Sequence, residues 1–383
     1  MSDKILSVVI PARNEFPNLP HTIHNILSTW EADGFDYRDL EIIVVDNCST
    51  DDKFPQRGSG GTTSYMFGRG AYYNRVVRVL YDPLAGNHSA RNKGARIATG
   101  EYVYFSDAHM SLAPGFFKHM LKTCKESGGL VHGQLQFMGA YPPTDRGAGF
   151  QYTIKLGEEI KGTWAPYKVS DDWFYIAAQG HWGLMANREQ FLNFGGYPEI
   201  HRCYGGGEFY TDMKWWLYGS CVVCEPKSIG YHLASGRGYS YNHDDYIHNV
   251  MNIGVALGMD DWVERMYINC LRRGNKQVLD RMFAEAYKEA DSDRKVIERR
   301  RVRTFNELLV ERPWDKLNQE KHGYHFSGLT IFHDTIIELF KQSPVAWEAY
   351  QNSKHQAELD KFINENLSSF VYGRAGVPKD SDS

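Results

Sequence analysis

The stretch Glu101-Tyr-Val-Tyr-Phe-Ser-Asp-Ala-His-Met110 joins a strand pattern to two side chains with metal-binding chemistry. Residues 102–105 are apolar, β-branched and aromatic, which is typical of a short buried strand. Asp107 and His109 follow at positions i and i+2, and side chains so spaced on extended backbone project to the same side. A carboxylate and an imidazole in this arrangement can hold one divalent cation, the kind of ion that neutralises a departing diphosphate. The alternative is a strand-end turn with a structural histidine.

Strand and helix patterns alternate over the first 110 residues. Apolar runs predict strands at 6–10, 40–45 and 76–81, and helical spacing predicts helices at 19–30 and 89–99. This order predicts an α/β fold with a mostly parallel central sheet and flanking helices, as in Rossmann-like proteins. Ligands bind such sheets at the carboxyl ends of the strands. Three polar clusters should lie at that edge: residues 11–15, Asp46 and Asp107.

The rest of the chain divides into a mixed part and a helical part. Residues 116–126, 188–194 and 211–218 predict helices, and residues 130–137, 182–185 and 221–224 predict strands. From Tyr246 onward the pattern is helical, most clearly at 260–270, 278–309 and 331–340. We therefore predict a ligand-binding domain at residues 1–240 and a mainly helical C-terminal region at residues 241–383.

Composition narrows the class of protein. With 383 residues, 42% hydrophobic and 23% charged, the chain fits a soluble globular protein. A formal net charge of -4 gives no whole-chain attraction to nucleic acid or to a membrane surface. No apolar run approaches the roughly 18 residues of a membrane span, and no signal-peptide pattern precedes the first strand. Six scattered cysteines predict reduced thiols and a cytoplasmic location.

Four motifs together resemble the GT-A glycosyltransferases of the family 2 type. They are Ser7-Val-Val-Ile-Pro-Ala-Arg-Asn-Glu15, Val44-Val-Asp-Asn-Cys-Ser-Thr-Asp51, Ser89-Ala-Arg-Asn-Lys-Gly94 and Ser106-Asp-Ala-His109. The Asp-Ala-His variant is similar to the polypeptide N-acetylgalactosaminyltransferases. Five further segments follow the order and approximate spacing of the motifs in that branch: Trp182-Gly-Leu-Met, Gly196-Tyr-Pro, Tyr204-Gly-Gly-Gly-Glu208, Gly219 and Ile229-Gly-Tyr-His232. The resemblance covers roughly residues 5–235 and implies an enzyme that transfers a sugar from a UDP-sugar.

The resemblance implies that the first half of the chain binds the donor. Asp46 would accept a hydrogen bond from the uracil imide, although a carboxylate there can also cap the following turn. Pro11 begins a wall around the nucleoside, with Arg13 or Glu15 near the ribose; either charge can instead lie on the surface. Arg91 would donate to the diphosphate, or it is a solvated helix charge.

Three side chains are predicted to bind a metal ion. His232 aligns with the metal-binding histidine of the resembled family and joins Asp107 and His109. Such a set of ligands suits Mn²⁺, or Mg²⁺. Tyr231 is an insertion relative to the family pattern. Because neighbouring strand residues point to opposite faces, the family's register would then require a β-bulge.

Two carboxylates and a tryptophan are assigned to the reacting sugar. Glu208 follows three glycines, and Asp212 lies one helical turn further on, so the two can share a face. The generic family 2 resemblance makes a carboxylate here the general base of an inverting reaction. The Asp-Ala-His resemblance instead favours retention of configuration, which we predict. Alternatively, both acids merely suit a helix N-terminus. Trp182 is either a platform beneath the sugar or a core residue.

The acceptor is predicted from local features only. The basic segment from Arg294 to Arg303 can bind phosphates, and it suggests hydroxymethylated pyrimidines in phage DNA as acceptor. The same segment also fits a solvated helix face paired with Glu285, Glu289 and Glu298. Residues 234–245 are predicted to fold over the donor as a lid. Three aromatic residues are predicted either to line the acceptor groove or to pack in the core: Trp164, Trp173 and Tyr175.

Other functions share parts of this pattern. A polypeptide or glycan acceptor fits the same donor site. A nucleotidyltransferase shares the sheet and the metal, but it usually has a Gly-rich, basic loop after the first strand, which Pro11-Ala-Arg-Asn-Glu15 is not. A binding-only relative is disfavoured by the retained Asp107, His109, His232 and Glu208.

Overall fold

The computed structural model describes residues 4–51, 77–82, 86–138, 146–147, 150–153, 161–164, 170–199, 201–233, 241–271 and 274–323. The strands are β1 (Lys4–Ala12), β2 (Leu40–Asp46), β3 (Val77–Tyr81), β4 (Gly100–Ser106), β5 (Met110–Leu112), β6 (Leu130–Met138), β7 (Arg146–Gly147), β8 (Phe150–Thr153), β9 (Lys161–Trp164), β10 (Phe174–Tyr175), β11 (Gly183–Asn187) and β12 (Val222–Leu233). The helices are α1 (Asn18–Ala32), α2 (Asn87–Ile97), α3 (Phe116–Ser127), α4 (Arg188–Asn193), α5 (Gly207–Leu217), α6 (His243–Leu257), α7 (Asp260–Leu271), α8 (Lys276–Arg300), α9 (Phe305–Glu311) and α10 (Pro313–His322).

The central sheet has the strand order β10-β12-β6-β11-β4-β1-β2-β3. Strands β3, β2, β1 and β4 are all parallel, as predicted for the first 110 residues. Strand β11 then lies antiparallel between β4 and β6, so the whole sheet is mixed rather than mostly parallel. The chain returns to the sheet at Gly183, where β11 starts beside Ser106 at the end of β4. A strand that begins next to the carboxyl end of β4 and pairs with it must run antiparallel to β4.

Each face of the sheet carries its own apolar layer. In β1, Val8 and Ile10 pack with α1 and α3, whereas Val9 packs with the layer that contains α5 and α6. This alternation follows from the two-residue repeat of a strand. Strand β2 is buried along its whole length, as expected for a strand that is covered on both faces. The sheet is therefore packed on both faces, and its strand ends can position side chains.

The helical region packs directly on the sheet domain. Helices α6 to α9 contribute buried residues to the same cluster as β1, β4 and α5, and α10 adds Trp314. The single helix predicted at 278–309 is wrong, because α8 ends at Arg300 and α9 starts at Phe305. Thr304 caps α9 in a reciprocal capping box with Glu307. The prediction used apolar spacing alone and so did not recognise this signal for the start of a new helix. The division at residue 240 stays a prediction, and the helix predicted at 331–340 lies outside the described residues.

The cysteines and the helices bear on two expectations from composition. All six cysteines lie within the described residues, and they are thiols rather than disulfides, as predicted. Cys221 and Cys224 flank the start of β12, where Cys224 is fully buried, which fits a core strand. Of the helices that the structure describes, none has the length and apolar character needed to cross a bilayer.

A buried carboxylate ties the amino ends of the parallel strands together. Glu41 on β2 accepts hydrogen bonds from Ser7 Oγ (2.5 Å) and from Thr99 N and Oγ1 (2.5 and 2.9 Å), and Arg78 lies 3.3 Å away. Burial acts to raise the pKa of Glu41, but these donors outweigh it and hold the pKa below its ordinary value of 4.5. The charged form is therefore stabilised by folding.

We predict that Glu41→Gln lowers the free energy of unfolding at pH 7 by about 1–2 kcal/mol, because an amide cannot accept from all these donors. A depressed folded-state pKa gives stability that is complete above the unfolded-state pKa and is lost as the pH falls through the folded value. The difference between variant and wild type should therefore shrink below pH 4.5. Urea unfolding of the variant and the wild type at pH 7 and pH 3.5 measures the difference in free energy of unfolding at each pH. A difference that is the same at both pH values contradicts the stabilising role of the Glu41 carboxylate.

Candidate functional site

A cavity of about 470 Å³ opens at the edge where the parallel strands end. Its wall includes residues that follow β1, β2 and β4, together with residues of β6, α5 and β12. The cavity is lined by Pro11, Ala12, Arg13, Glu15, Asn47, Asn87, Arg91, Asp107, Ala108, His109, Leu135, Phe137, Gly180, His181, Trp182, Cys203, Tyr204, Glu208 and His232. Of the residues predicted to act in catalysis, bind the donor or bind the metal, only Asp46 and Asp212 are missing from this lining.

Asp107, His109 and His232 converge on one point of the cavity. The Nε2 atoms of His109 and His232 lie 3.1 Å apart, and His232 Nε2 lies 3.4 Å from Asp107 Oδ2. Adjacent ligands of an octahedral ion with bonds of about 2.1 Å are about 3 Å apart. Two imidazole nitrogens and a carboxylate oxygen at these separations fit a divalent cation.

His232 reaches this point although Tyr231 is inserted before it. Strand β12 pairs regularly with β6 from Ile229 to Leu233, and His232 lies beside Phe137 of β6 and Met110 of β5. The irregularity in register lies upstream, between Glu225 and Ile229. The residues of β12 that interrupt the pairing are thus 226–228 rather than Tyr231. The inserted tyrosine does not turn His232 away from Asp107.

Glu15 supports His109 from behind. Its Oε2 atom lies 3.1 Å from His109 Nδ1, so Nδ1 can donate to the carboxylate while Nε2 faces His232. Burial alone would lower the pKa of His109, but the hydrogen bond to Glu15 and the charge of Asp107 raise it overall. A carboxylate behind a metal-binding histidine fixes its tautomer and ring orientation. The structure therefore places Glu15 behind a candidate ligand rather than as a plain surface charge.

Arg91 is a buried contact of Asp107 rather than a solvated helix charge. It is only 1% exposed, and its Nη2 donates to Asp107 Oδ1 (2.9 Å) and to the carbonyl of His181 (2.7 Å). Burial acts to raise the pKa of Asp107, but hydrogen bonding with His232 and the charge of Arg91 lower it overall. Asp107 is accordingly held as a carboxylate, the form that binds metal.

The two predicted catalytic carboxylates have different surroundings. Helix α5 begins at Gly207, four residues earlier than predicted, because Gly205 and Gly206 adopt positive φ values of 120° and 73°. Glu208 thus lies in the first turn of α5 and lines the cavity. Asp212 has 0% exposure and does not line the cavity, so it cannot meet an acceptor hydroxyl as a general base.

The predicted nucleoside wall is only partly at the cavity. Pro11 and Arg13 line it, whereas Asp46 is 4% exposed and lies outside the lining. Asp46 Oδ1 accepts a hydrogen bond from Ser49 N (3.0 Å), which is the turn-capping role considered as its alternative. Asn47, the next residue, lines the cavity in its place.

Trp182 lies in the cavity wall against two glycines. A Cβ atom at Gly230 would be 2.0 Å from Cζ3 of the indole, and one at Gly133 would be 3.0 Å from its Cη2. Only glycine leaves room for the ring at position 230. The ring is 3% exposed, so it is largely buried and contacts the cavity at its edge.

We predict that Gly230→Ala displaces the Trp182 ring and lowers the free energy of unfolding by about 1–3 kcal/mol, the usual effect of overpacking. Gly86→Ala is a matched control, since a Cβ there would meet its nearest neighbour at an ordinary 3.6 Å. Thermal melts of both variants provide the comparison. Equal melting temperatures for the two would show that the ring does not depend on Gly230.

Several predicted acceptor features lie elsewhere. Trp173 and Tyr175 do not line the cavity; Lys321 Nζ of α10 lies 3.9 Å from the Trp173 ring centroid, and Tyr175 N donates to Asn318. The side chain of Trp164 lies outside the described residues. So do residues 234–240 of the predicted lid, whereas residues 243–245 form the first turn of α6, which Asn242 caps.

Half of the basic side chains in the segment from Arg294 to Arg303 are paired with acids. Arg294 contacts Asp260 (2.7 Å) and Glu298 (3.0 Å), Lys295 contacts Asp291 (2.6 Å), and Arg303 contacts Glu311 (3.4 Å). Three of its six basic side chains are thus ion-paired. The acidic partners differ from those predicted except for Glu298.

His181 is a cavity residue that was not predicted from the sequence. This residue lines the cavity, is 3% exposed and lies directly before Trp182, which was singled out. Its Nε2 atom lies 3.0 Å from Asp212 Oδ1 and its Nδ1 atom 2.9 Å from the Tyr197 hydroxyl. The available signal was its position just before a buried strand, beside a predicted site residue.

Part of the chain matches a known protein family. Residues 7–178 match the family model for glycosyl transferase family 2. N-acetylgalactosaminyltransferase 7 of Drosophila melanogaster is 27% identical over 244 residues, covering 60% of this chain and 39% of that protein. The putative polypeptide N-acetylgalactosaminyltransferase 13 of the same species is 24% identical over 305 residues, covering 73% and 52%. The chain thus spans about half or less of the length of these relatives.

Comparison with solved structures supports the fold. A crystal structure of GalNAc-T7 with UDP, GalNAc and Mn²⁺ matches 76% of this chain and 57% of that chain, with a TM-score of 0.54 and 17% sequence identity. At this identity the match shows a common fold. The predicted GT-A fold is confirmed, and the described part of the C-terminal region, residues 241–271 and 274–323, is mainly helical.

Proposed function

We propose that this chain is a metal-dependent glycosyltransferase that uses a UDP-sugar. The premise is its glycosyl transferase family 2 domain of GT-A type, which is close to the polypeptide N-acetylgalactosaminyltransferase branch. The observation that carries the proposal is the convergence of Asp107, His109 and His232 in one cavity. UDP is proposed as the nucleotide because UDP and Mn²⁺ are present in the GalNAc-T7 structure.

The three converging side chains would hold Mn²⁺ or Mg²⁺. When bound, such an ion supplies positive charge that stabilises the diphosphate as it leaves. The protein prepares this site by holding Asp107 ionised beside Arg91 and by orienting His109 through Glu15. Pro11, Arg13 and Asn47 line the same cavity, and we assign them to the nucleoside. Trp182 would border the sugar.

We propose a retaining transfer. The bond between the anomeric carbon and the β-phosphate oxygen breaks, the acceptor oxygen bonds to that carbon from the same face, and the acceptor proton passes to the departing phosphate. Of the cavity carboxylates, Glu15 contacts His109 and Asp107 contacts Arg91, which leaves Glu208 to contact the sugar or the acceptor. The burial of Asp212 removes it as a base, which favours retention.

The acceptor is proposed only as a hydroxyl compound. A DNA acceptor would depend on the segment from Arg294 to Arg303, and half of the cations there are already paired with carboxylates. Arg300 also lies 4.8 Å from the Tyr218 ring centroid, so it serves packing. We therefore do not extend the proposal to DNA.

We predict that the chain hydrolyses a UDP-sugar slowly when Mn²⁺ is added, and that Asp107→Ala or His232→Ala reduces this rate at least about 100-fold, since each removes a metal ligand. The matched control is His24→Ala, an exposed histidine on α1 that does not line the cavity. UDP release from a panel of UDP-sugars is the measurement. A wild-type protein that shows no metal-dependent turnover with any donor overturns the proposed function.

The stereochemical proposal has a separate test. We predict that sugar released from an α-linked UDP-sugar first appears as the α anomer, because retention delivers water to the face that the phosphate leaves. Proton NMR within minutes, before the anomers equilibrate, reports the configuration. Initial release of the β anomer would show inversion and would assign Glu208 as general base.

A further inference from the structure

A hydrogen-bond network lies behind the cavity wall, centred on Asp212. The Oδ1 atom of Asp212 lies 3.0 Å from His181 Nε2 and 3.4 Å from His132 Nε2, and Oδ2 accepts from Gln179 N at 2.8 Å. The side chains of Asp212 and both histidines are fully buried. A carboxylate removed from water in this way must be matched by donors. Here three donors converge on its two oxygens.

The network determines the proton positions on His181. Its Nε2–H donates to Asp212, so Nδ1 is left as the acceptor for the Tyr197 hydroxyl, 2.9 Å away. Burial acts to raise the pKa of Asp212, but the neighbouring histidines lower it overall, so the acceptor is a carboxylate. Both ring nitrogens of His181 are therefore occupied, and the ring has one orientation.

The backbone around His181 connects this network to the proposed metal site. The His181 carbonyl accepts from Arg91 Nη2 at 2.7 Å, and the same Nη2 donates to Asp107 Oδ1 at 2.9 Å. The next carbonyl, that of Trp182, accepts from Asp107 N at 3.0 Å. Asp107 is thus positioned twice by the segment that Asp212 holds through His181 and Gln179.

We propose that Asp212 is a positioning residue for the metal site: by fixing residues 179–182 it places Arg91 and Asp107 so that Asp107 faces His232. This inference rests on the proposed function, since it concerns the same metal site. It also gives Asp212 a role without contact to substrate, in agreement with its burial. Helix α5 would then serve the site in two ways, through Glu208 in the cavity and through Asp212 behind it.

The decisive variant is Asp212→Asn, which keeps the shape of the side chain. An amide has one acceptor oxygen, so its NH₂ group must face either Gln179 N–H or the Nε2–H groups of the two histidines. Two donors that face each other in a buried place repel, and the segment must shift. We expect Mn²⁺ affinity to fall about 10–100-fold, the range typical of outer partners of metal ligands.

The experiment measures free Mn²⁺ by electron paramagnetic resonance in titrations of the full chain with the metal alone. Glu41→Gln is the control, because it also removes a buried, hydrogen-bonded carboxylate but lies at the opposite end of the strands. Both variants should melt at a lower temperature, whereas only Asp212→Asn should bind Mn²⁺ more weakly. Similar loss of affinity in both variants, or in neither, overturns the positioning role.

A second variant covers the case in which Asp212→Asn does not fold. Tyr197→Phe removes the hydroxyl on His181 Nδ1 but keeps the ring, which packs on Phe105 and Phe191. Its Mn²⁺ affinity should fall about 3–10-fold, given the loss of one of the two contacts that hold the ring. Unchanged affinity contradicts the proposal. Failure of the wild type to bind Mn²⁺ at all would instead contradict the proposed function.

Discussion

Parallel pairing of β1 with β2 on one side and with β4 on the other is the constraint on which the site depends. It brings the carboxyl ends of three strands to one edge, so that residues 11–15, Asn47 and residues 107–109 meet although they are far apart in sequence. Strand β12 then supplies His232 by pairing with β5, the short strand that follows His109. Without this register the three candidate ligands could not share one cation.

Charged side chains at the cavity and behind its wall have polar partners. Arg91 is almost completely buried, and its guanidinium is matched by Asp107 at 2.9 Å. Glu15 likewise faces His109, and Asp212 faces two histidines. Buried charges without partners are costly, so these contacts hold the side chains in fixed positions before any ligand arrives. Fixed positions are what an electrostatic site needs, because its groups then do not have to rearrange during the reaction.

Much of the fold could be predicted from sequence because strand and helix patterns are local. The alternation over the first 110 residues predicted the four parallel strands, and the resemblance to GT-A family 2 glycosyltransferases is confirmed. The antiparallel insertion of β11 was missed, because pairing direction depends on where a long connection returns. The early start of α5 was missed because it depends on two glycines with positive φ values.

The candidate site was predictable where motif and strand end coincide, as at Asp107 and His109. The location of Asp212 was not, because helical spacing relative to Glu208 says nothing about which side of the helix faces the cavity. His181 was missed for a related reason: its role comes from contacts with Asp212 and Tyr197, which are distant in sequence. Long-range packing, rather than local pattern, decides between a residue in the cavity and one behind it.

The most direct measurement is anomalous diffraction at the manganese edge from crystals soaked with MnCl₂ and UDP. We predict a peak within about 2.3 Å of one oxygen of Asp107 and of Nε2 of both His109 and His232. A fully occupied peak elsewhere, or none in crystals with UDP bound in the cavity, would contradict it.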